Sequence, residues 1–149
     1  MKIRPAEAGD VERLREITVA AKAHWGHDLA WVKQWVAVGD FAGVAVGRGE
    51  AWLAEVDGTI AGWSALQLGG EIAWLEDLWV DPAYMGRGVG RRLFVEAAAR
   101  ARTAGKPRLE WEADLDAVGF YERMGGRKVC DSAVTELGRV LPVMALDLS

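Results

Sequence analysis

Lys2 to Arg4 alternate polar and apolar positions and stop at Pro5, which predicts a short first strand. The period then lengthens. Val11, Leu14, Ile17 and Ala21 fall three or four apart, the spacing of one helix face, with Asp10 placed to cap it. A second helical pattern, Trp31, Val32, Trp35 and Val38, follows Asp28 and closes at Gly39. The glycine-rich run GDFAGVAVGRGE, 39–50, predicts a loop. From Ala51 the period shortens to two. AWLAEV (51–56) and TIAGWSALQL (59–68), joined by Asp57-Gly58, predict a hairpin, and Gly69-Gly70 turns into a third strand, EIAWLEDLWV, at 71–80. Together these make an antiparallel meander.

Helical spacing returns over Val89 to Thr103, where Val89, Leu93, Ala97 and Ala101 share a face. PRLEWEA (107–113) reads as a strand and Asp116 to Met124 as a short helix stopped by Gly125-Gly126. RKVCD (127–131) and RVLPVMALDL (139–148) read as the last two strands. The order β α α β β β α β α β β, without linker or repeat, predicts one mixed α/β domain over residues 1–149.

At 149 residues the chain can bury a core without disulfides. A net charge of −4 argues against a nucleic-acid partner. The one cysteine, Cys130, excludes an internal disulfide and a cysteine-rich zinc site. The N-terminus MKIRPAEAGD lacks the apolar core of a signal peptide, and no stretch approaches the roughly 18 apolar residues that span a bilayer. The expectation is a cytoplasmic chain with no membrane partner.

Candidate chemistry concentrates in YMGRGVGRRLF, 84–94, which lies between a strand and a helix. The first amides of a helix lack internal partners and carry partial positive charge, and glycines let an anion approach the backbone. Arg87, Arg91 and Arg92 add charge. A dinucleotide fingerprint G-x-G-x-x-G fails, because counting from Gly86 and Gly88 the third site is Arg91. No G-x-x-x-x-G-K-[ST] run exists either. NAD and ATP are therefore disfavoured.

LEDLWVDPAYMGRGVGRRLF resembles the acyl-CoA-binding core of the GCN5-related N-acetyltransferase (GNAT) superfamily, in which a strand ending L-x-V-x-P precedes [QR]-x-x-G-x-[GA] and a helix. Leu78-Trp79-Val80-Asp81-Pro82 and Gly88-Val89-Gly90 match; Met85 stands where Gln or Arg is expected. ADLDAVGFYERMGG (113–126) resembles the family's later segment through Phe120-Tyr121 and Gly125, with Asp116 in place of the usual Asn. An aspartate lacks the amide's N–H donors, so a pantetheine contact changes there.

The resemblance implies a mostly antiparallel central sheet with flanking helices, and direct acetyl transfer from acetyl-CoA to a primary amine of a small molecule or peptide. It implies that Leu78, Trp79 and Val80 pair with the pantetheine amides. Met85, Gly86, Arg87, Gly88, Val89, Gly90 and Arg91 would border the pyrophosphate, and Asp116 the pantetheine arm. Dimers are common in this family. Tyr121, protonated at neutral pH, suits a general acid for the leaving thiolate. Glu76 and Asp77 face opposite sides of their strand and either can take the amine's proton; Glu76 is preferred because it shares a face with Ile72, Trp74, Leu78 and Val80.

His24, Trp25 and Trp31 lie in or beside the segment that borders the acceptor pocket in this family. The two histidines, His24 and His27, have no further ligand cluster around them, so no metal is expected. A CoA-binding module with little activity, or a transferase for another acyl group or an O-acceptor, stays open as the alternative.

Overall fold

A computed structural model describes residues 1–134 and 138–148. The chain gathers into two compact units, Met1–Leu66 with Glu76–Ala97, and Gln67–Leu75 with the residues from Ala98 onward. The first unit holds β1 (Lys2–Pro5), α1 (Val11–His24), α2 (Leu29–Gly39), α3 (Phe41–Arg48), β2 (Ala51–Val56) and most of β3 (Thr59–Gln67). β4 (Ala73–Val80) and α4 (Val89–Thr103) run through both. The second unit adds β5 (Arg108–Glu112), α5 (Val118–Arg123), β6 (Arg127–Asp131) and β7 (Pro142–Asp147).

Strand order in the first unit is β1-β2-β3-β4, and in the second β4-β5-β7-β6. β1/β2, β2/β3, β5/β7 and β6/β7 are antiparallel. The parallel ladder of β4 with β5 joins Ala73 to Leu109 and Trp74 to Glu110. The sheet is thus mixed and mostly antiparallel, as the family resemblance implied.

Period-two burial builds the first unit's core. Leu53 of β2 with Trp63 and Ala65 of β3 meet Leu14 and Ile17 of α1, with Ala42 and Ala45 of α3 beside them. Trp63 is fully buried, so its indole N–H needs a partner, and it donates to Thr18 Oγ1 at 3.0 Å. Thr18 in turn donates to the Leu14 carbonyl at 2.9 Å. Trp63→Phe is expected to lower unfolding stability by about 1–2 kcal/mol, the lost volume plus the lost hydrogen bond; a denaturant midpoint checks it.

The glycine-rich run corrects the expectation of a loop, because Phe41–Arg48 is helical. Two of its glycines answer to packing rather than to flexibility. A Cβ on Gly39 would fall 2.3 Å from the Phe41 ring, and one on Gly43 would fall 2.5 Å from the Asp40 carboxylate. Asp40 breaks the chain between α2 and α3 with φ 44° and is held by Arg15 of α1. Burial of Ala42 and Ala45 on α1 then outweighs the roughly 1 kcal/mol per glycine lost in helix propensity. Two strands are shorter than their hydrophobic runs: the third begins at Ala73 and the last spans Pro142–Asp147.

Candidate active site

The glycine stretch is the turn between β4 and α4. Asp81 organises its start: the carboxylate accepts the Ala83 N–H at 3.0 Å and the Arg13 guanidinium at 2.6 Å, while its own N–H donates to the Ala61 carbonyl at 2.8 Å. That anchors the turn to α1 and β3. Gly86 and Gly88 then take φ of 79° and 81°, a region open to glycine and costly for other residues. A Cβ on either would meet nothing within 4 Å, so the backbone here faces open space.

α4 starts at once. Arg92 N–H donates to the Gly88 carbonyl at 3.1 Å, which leaves the amides of Val89, Gly90 and Arg91 ahead of the first helical bond. Val89, Leu93, Phe94 and Ala97 are buried and fix the helix, while Arg87, Arg91 and Arg92 are exposed. The Arg87 guanidinium lies 5.4 Å from the Tyr84 ring. The sequence-predicted cradle residues Met85 to Arg91 therefore stand together at one helix N-terminus, with glycine backbone, dipole and arginine charge in place.

On β4 the two adjacent carboxylates have opposite surroundings. Glu76 accepts Arg48 at 2.6 Å near the surface, a partner supplied by the helix that the glycines disguised. Asp77 is buried, with Oδ1 accepting the Trp79 indole N–H at 3.0 Å. Its Oδ2 has no hydrogen-bond partner among the described residues. Desolvation pushes its carboxyl up to about 7, and the like charge of Glu76 adds to this, against the Trp79 hydrogen bond and Arg48. The Ser64 hydroxyl donates to the Asp77 carbonyl at 2.6 Å and pins this stretch of strand to β3.

Above the same strand face, the Lys22 ammonium lies 5.0 Å from the Trp35 ring and 5.3 Å from the Trp79 ring, and Lys22 is 8% exposed. Trp31 stacks on Trp35 at 6.0 Å. His24 and Trp25 are exposed at the end of α1, ring edge to ring face at 4.9 Å. Sequence reasoning missed Lys22 altogether. It offered no signal there beyond a lysine near a helical apolar face.

In the second unit, Tyr121 is buried between Trp111, at 4.9 Å, and Phe120, at 5.1 Å. Burial pushes its phenol above the usual tyrosine range and the Asp114 carboxylate adds to this, so it stays protonated at neutral pH. Arg139 donates to Asp114 at 3.3 Å. Asp116 is exposed in the short turn Leu115–Ala117 that leads into α5. Among the described residues, no group of three or more His, Cys, Asp or Glu is arranged to hold a metal ion. No helix among them is long and apolar enough to cross a membrane.

The profile of the acetyltransferase (GNAT) family matches residues 11–126, which takes in α1, the meander, the glycine turn and α5. The chain belongs to this family. A relative, the peptidyl-lysine N-acetyltransferase YjaB of Salmonella typhimurium, is 33% identical over 72 residues. That stretch is 48% of each protein, so the chain spans about half the length of the curated relative that it matches. Among solved structures, the PaiA N-acetyltransferase of Thermoplasma acidophilum in complex with coenzyme A covers 98% of both chains at a TM-score of 0.82 and 17% identity. YncA of Salmonella typhimurium with acetyl-CoA covers all of this chain and 94% of its own, at 0.72 and 20%. At these identities the likeness is one of fold.

Proposed function

We propose that this chain is an acetyl-CoA-dependent N-acetyltransferase that moves the acetyl group directly to a primary amine of a small molecule or peptide. The observation that carries the reading is the turn at Gly86 and Gly88, in positive φ and open to space, at the N-terminus of α4 in a GNAT chain. The amides ahead of the first α4 bond would receive the CoA pyrophosphate, with Arg87 and Arg91 beside them. Leu78, Trp79 and Val80 would offer their backbone to the pantetheine arm; they lie beyond the two residues of β4 that pair with β5. Asp116 would border the same arm. The relatives with CoA or acetyl-CoA in their solved structures support the donor, and the peptidyl-lysine enzyme supports an amine acceptor.

The chemistry needs few parts. A thioester is already activated, so the protein must orient it, supply a neutral amine and protonate the departing thiolate. Tyr121, held protonated by its burial, is the proposed acid. The proton acceptor is one of the β4 carboxylates, Glu76 or Asp77. His24, Trp25 and Trp31 would border the acceptor.

Calorimetric titration with acetyl-CoA, then thiol release over a panel of alkylamines, arylamines and lysine peptides, tests the reading. Binding with turnover supports it. Binding without turnover favours a CoA-binding module, a reading to which Met85 and Asp116 lend weight because both remove hydrogen-bonding groups of the family pattern. No binding overturns both. Tyr121→Phe is expected to lower kcat at least about tenfold with acetyl-CoA affinity kept within about twofold. Steady-state rates and titration on the same sample separate the two effects.

A further inference from the structure

Glu76 and Asp77 are neighbours in sequence, yet their surroundings differ. The Glu76 carboxylate accepts the Arg48 guanidinium through Oε2 at 2.6 Å, a charge-assisted bond. Asp77 is 6% exposed, shares its strand face with the apolar Ala73, Leu75 and Trp79, and leaves Oδ2 without a partner among the described residues. An unpaired buried carboxylate oxygen is expensive, and a core position would be better served by an apolar residue. The position also has orientation built in. Trp79 fixes Oδ1 through its indole and Ser64 fixes the Asp77 main chain, so Oδ2 has a set direction.

The wall beside it already accommodates an ammonium, since Trp79 and Trp35 both lie close to the Lys22 Nζ. Among the described residues, the charged groups that act on Asp77 include Glu76 on β4 itself and Arg48 from α3, Lys22 of α1 lies against the Trp79 ring beside it, and the neutral Ser64 of β3 bonds its main chain.

We infer that Asp77, and not Glu76, receives the acceptor's ammonium and takes its proton, in a pocket walled by Trp79 and Trp35. The inference rests on the acetyltransferase reading and places the acceptor's ammonium beside the Trp79 and Trp35 rings. The Lys22 charge already present disfavours a dication. The Asp77 carboxylate takes one proton from R–NH₃⁺, the freed amine attacks the thioester carbonyl, and the N–C bond forms as the C–S bond breaks. The nitrogen loses its second proton, the thiolate gains one and leaves as the thiol, and Asp77 returns its proton to solvent.

The test compares wild type, Asp77→Asn and Glu76→Gln with the panel amine that releases thiol fastest from wild type. Asp77→Asn is expected to lose at least about 100-fold in kcat, keep acetyl-CoA affinity within about twofold, and melt no lower than wild type at pH 8. Glu76→Gln, which removes the rival carboxylate, should lose at least about tenfold less kcat than Asp77→Asn. The wild-type kcat at saturating amine should rise tenfold per pH unit below about 7 and level above it, a break absent from Asp77→Asn. Equal turnover by wild type and Asp77→Asn overturns this inference and leaves the acetyltransferase reading standing. A loss confined to Glu76→Gln overturns it in the same way, and a wild type inactive on every amine overturns both.

Discussion

Gly88→Glu is expected to abolish acetyl-CoA binding, with calorimetric heats falling to baseline at concentrations that saturate the wild type. Two independent effects act at one position. Gly88 holds φ at 81°, where an L side chain costs about 1–2 kcal/mol, so the turn tends to relax away from the shape that aims its amides outward. The new carboxylate would also stand in the open space before the first amides of α4, where the helix dipole attracts negative charge. It would compete with the pyrophosphate and repel it. Because a Cβ on Gly88 meets nothing within 4 Å, the fold itself is under little steric threat, and circular dichroism should stay native. Gly88→Ala separates the terms: it keeps the strain and removes the charge, so a loss of only about tenfold is expected. Undiminished binding by Gly88→Glu would move the phosphates elsewhere.

The glycine turn was legible because its chemistry is local. Alternating glycines between a period-two run and a period-3.6 run have few physical uses, and spacing alone excluded two of them. The long elements were legible for the same reason, since Leu14, Ile17, Leu53 and Trp63 follow the period of the element that buries them. α3 was not. Gly39 and Gly43 look like chain breakers, and their real cause, the closeness of Phe41 and Asp40, exists only once the chain has folded. That one misreading had a consequence at the site. With Phe41–Arg48 read as loop, nothing suggested that Arg48 would reach Glu76, and Glu76 was preferred to Asp77 on its strand face alone. The sequence did contain a clue. Asp77 interrupts the apolar series Ala73, Leu75, Trp79 at period two, and a carboxylate on an inward face calls for an explanation.

That carboxylate should leave a mark on stability. Wild type is expected to lose about 2–4 kcal/mol relative to Asp77→Asn as pH rises from about 4 to 8. The aspartyl carboxyl ionises near 3.9 in an unfolded chain and at about 7 in the folded protein. A raised value means that the folded state prefers the proton, so the contribution is fully present below about 4. It fades as pH climbs from about 4, where the unfolded chain gives up its proton, and is gone once pH passes about 7 and the folded state ionises too. Three units at 1.36 kcal/mol each bound the effect at about 4 kcal/mol. An asparagine can keep its oxygen toward the Trp79 indole but buries an amide N–H₂, a cost of about 1–2 kcal/mol that lowers the variant's curve equally at every pH and leaves the pH-dependent difference unchanged.

Urea midpoints of both proteins at pH 4.5, 6, 7 and 8 measure the difference directly. Subtraction cancels the remaining carboxylates, Asp10 on Arg4 among them, whose pH dependence has the opposite sign. The variant should gain on wild type between about pH 4 and 7, with half of the gain by about 5.5 and a plateau above 7. A residue whose removal stabilises the protein at the pH where it is charged, and abolishes turnover at the same pH, is one retained for chemistry. Parallel stability curves would mean that Asp77 stays charged throughout, or finds a partner on folding, and the free oxygen would lose its significance.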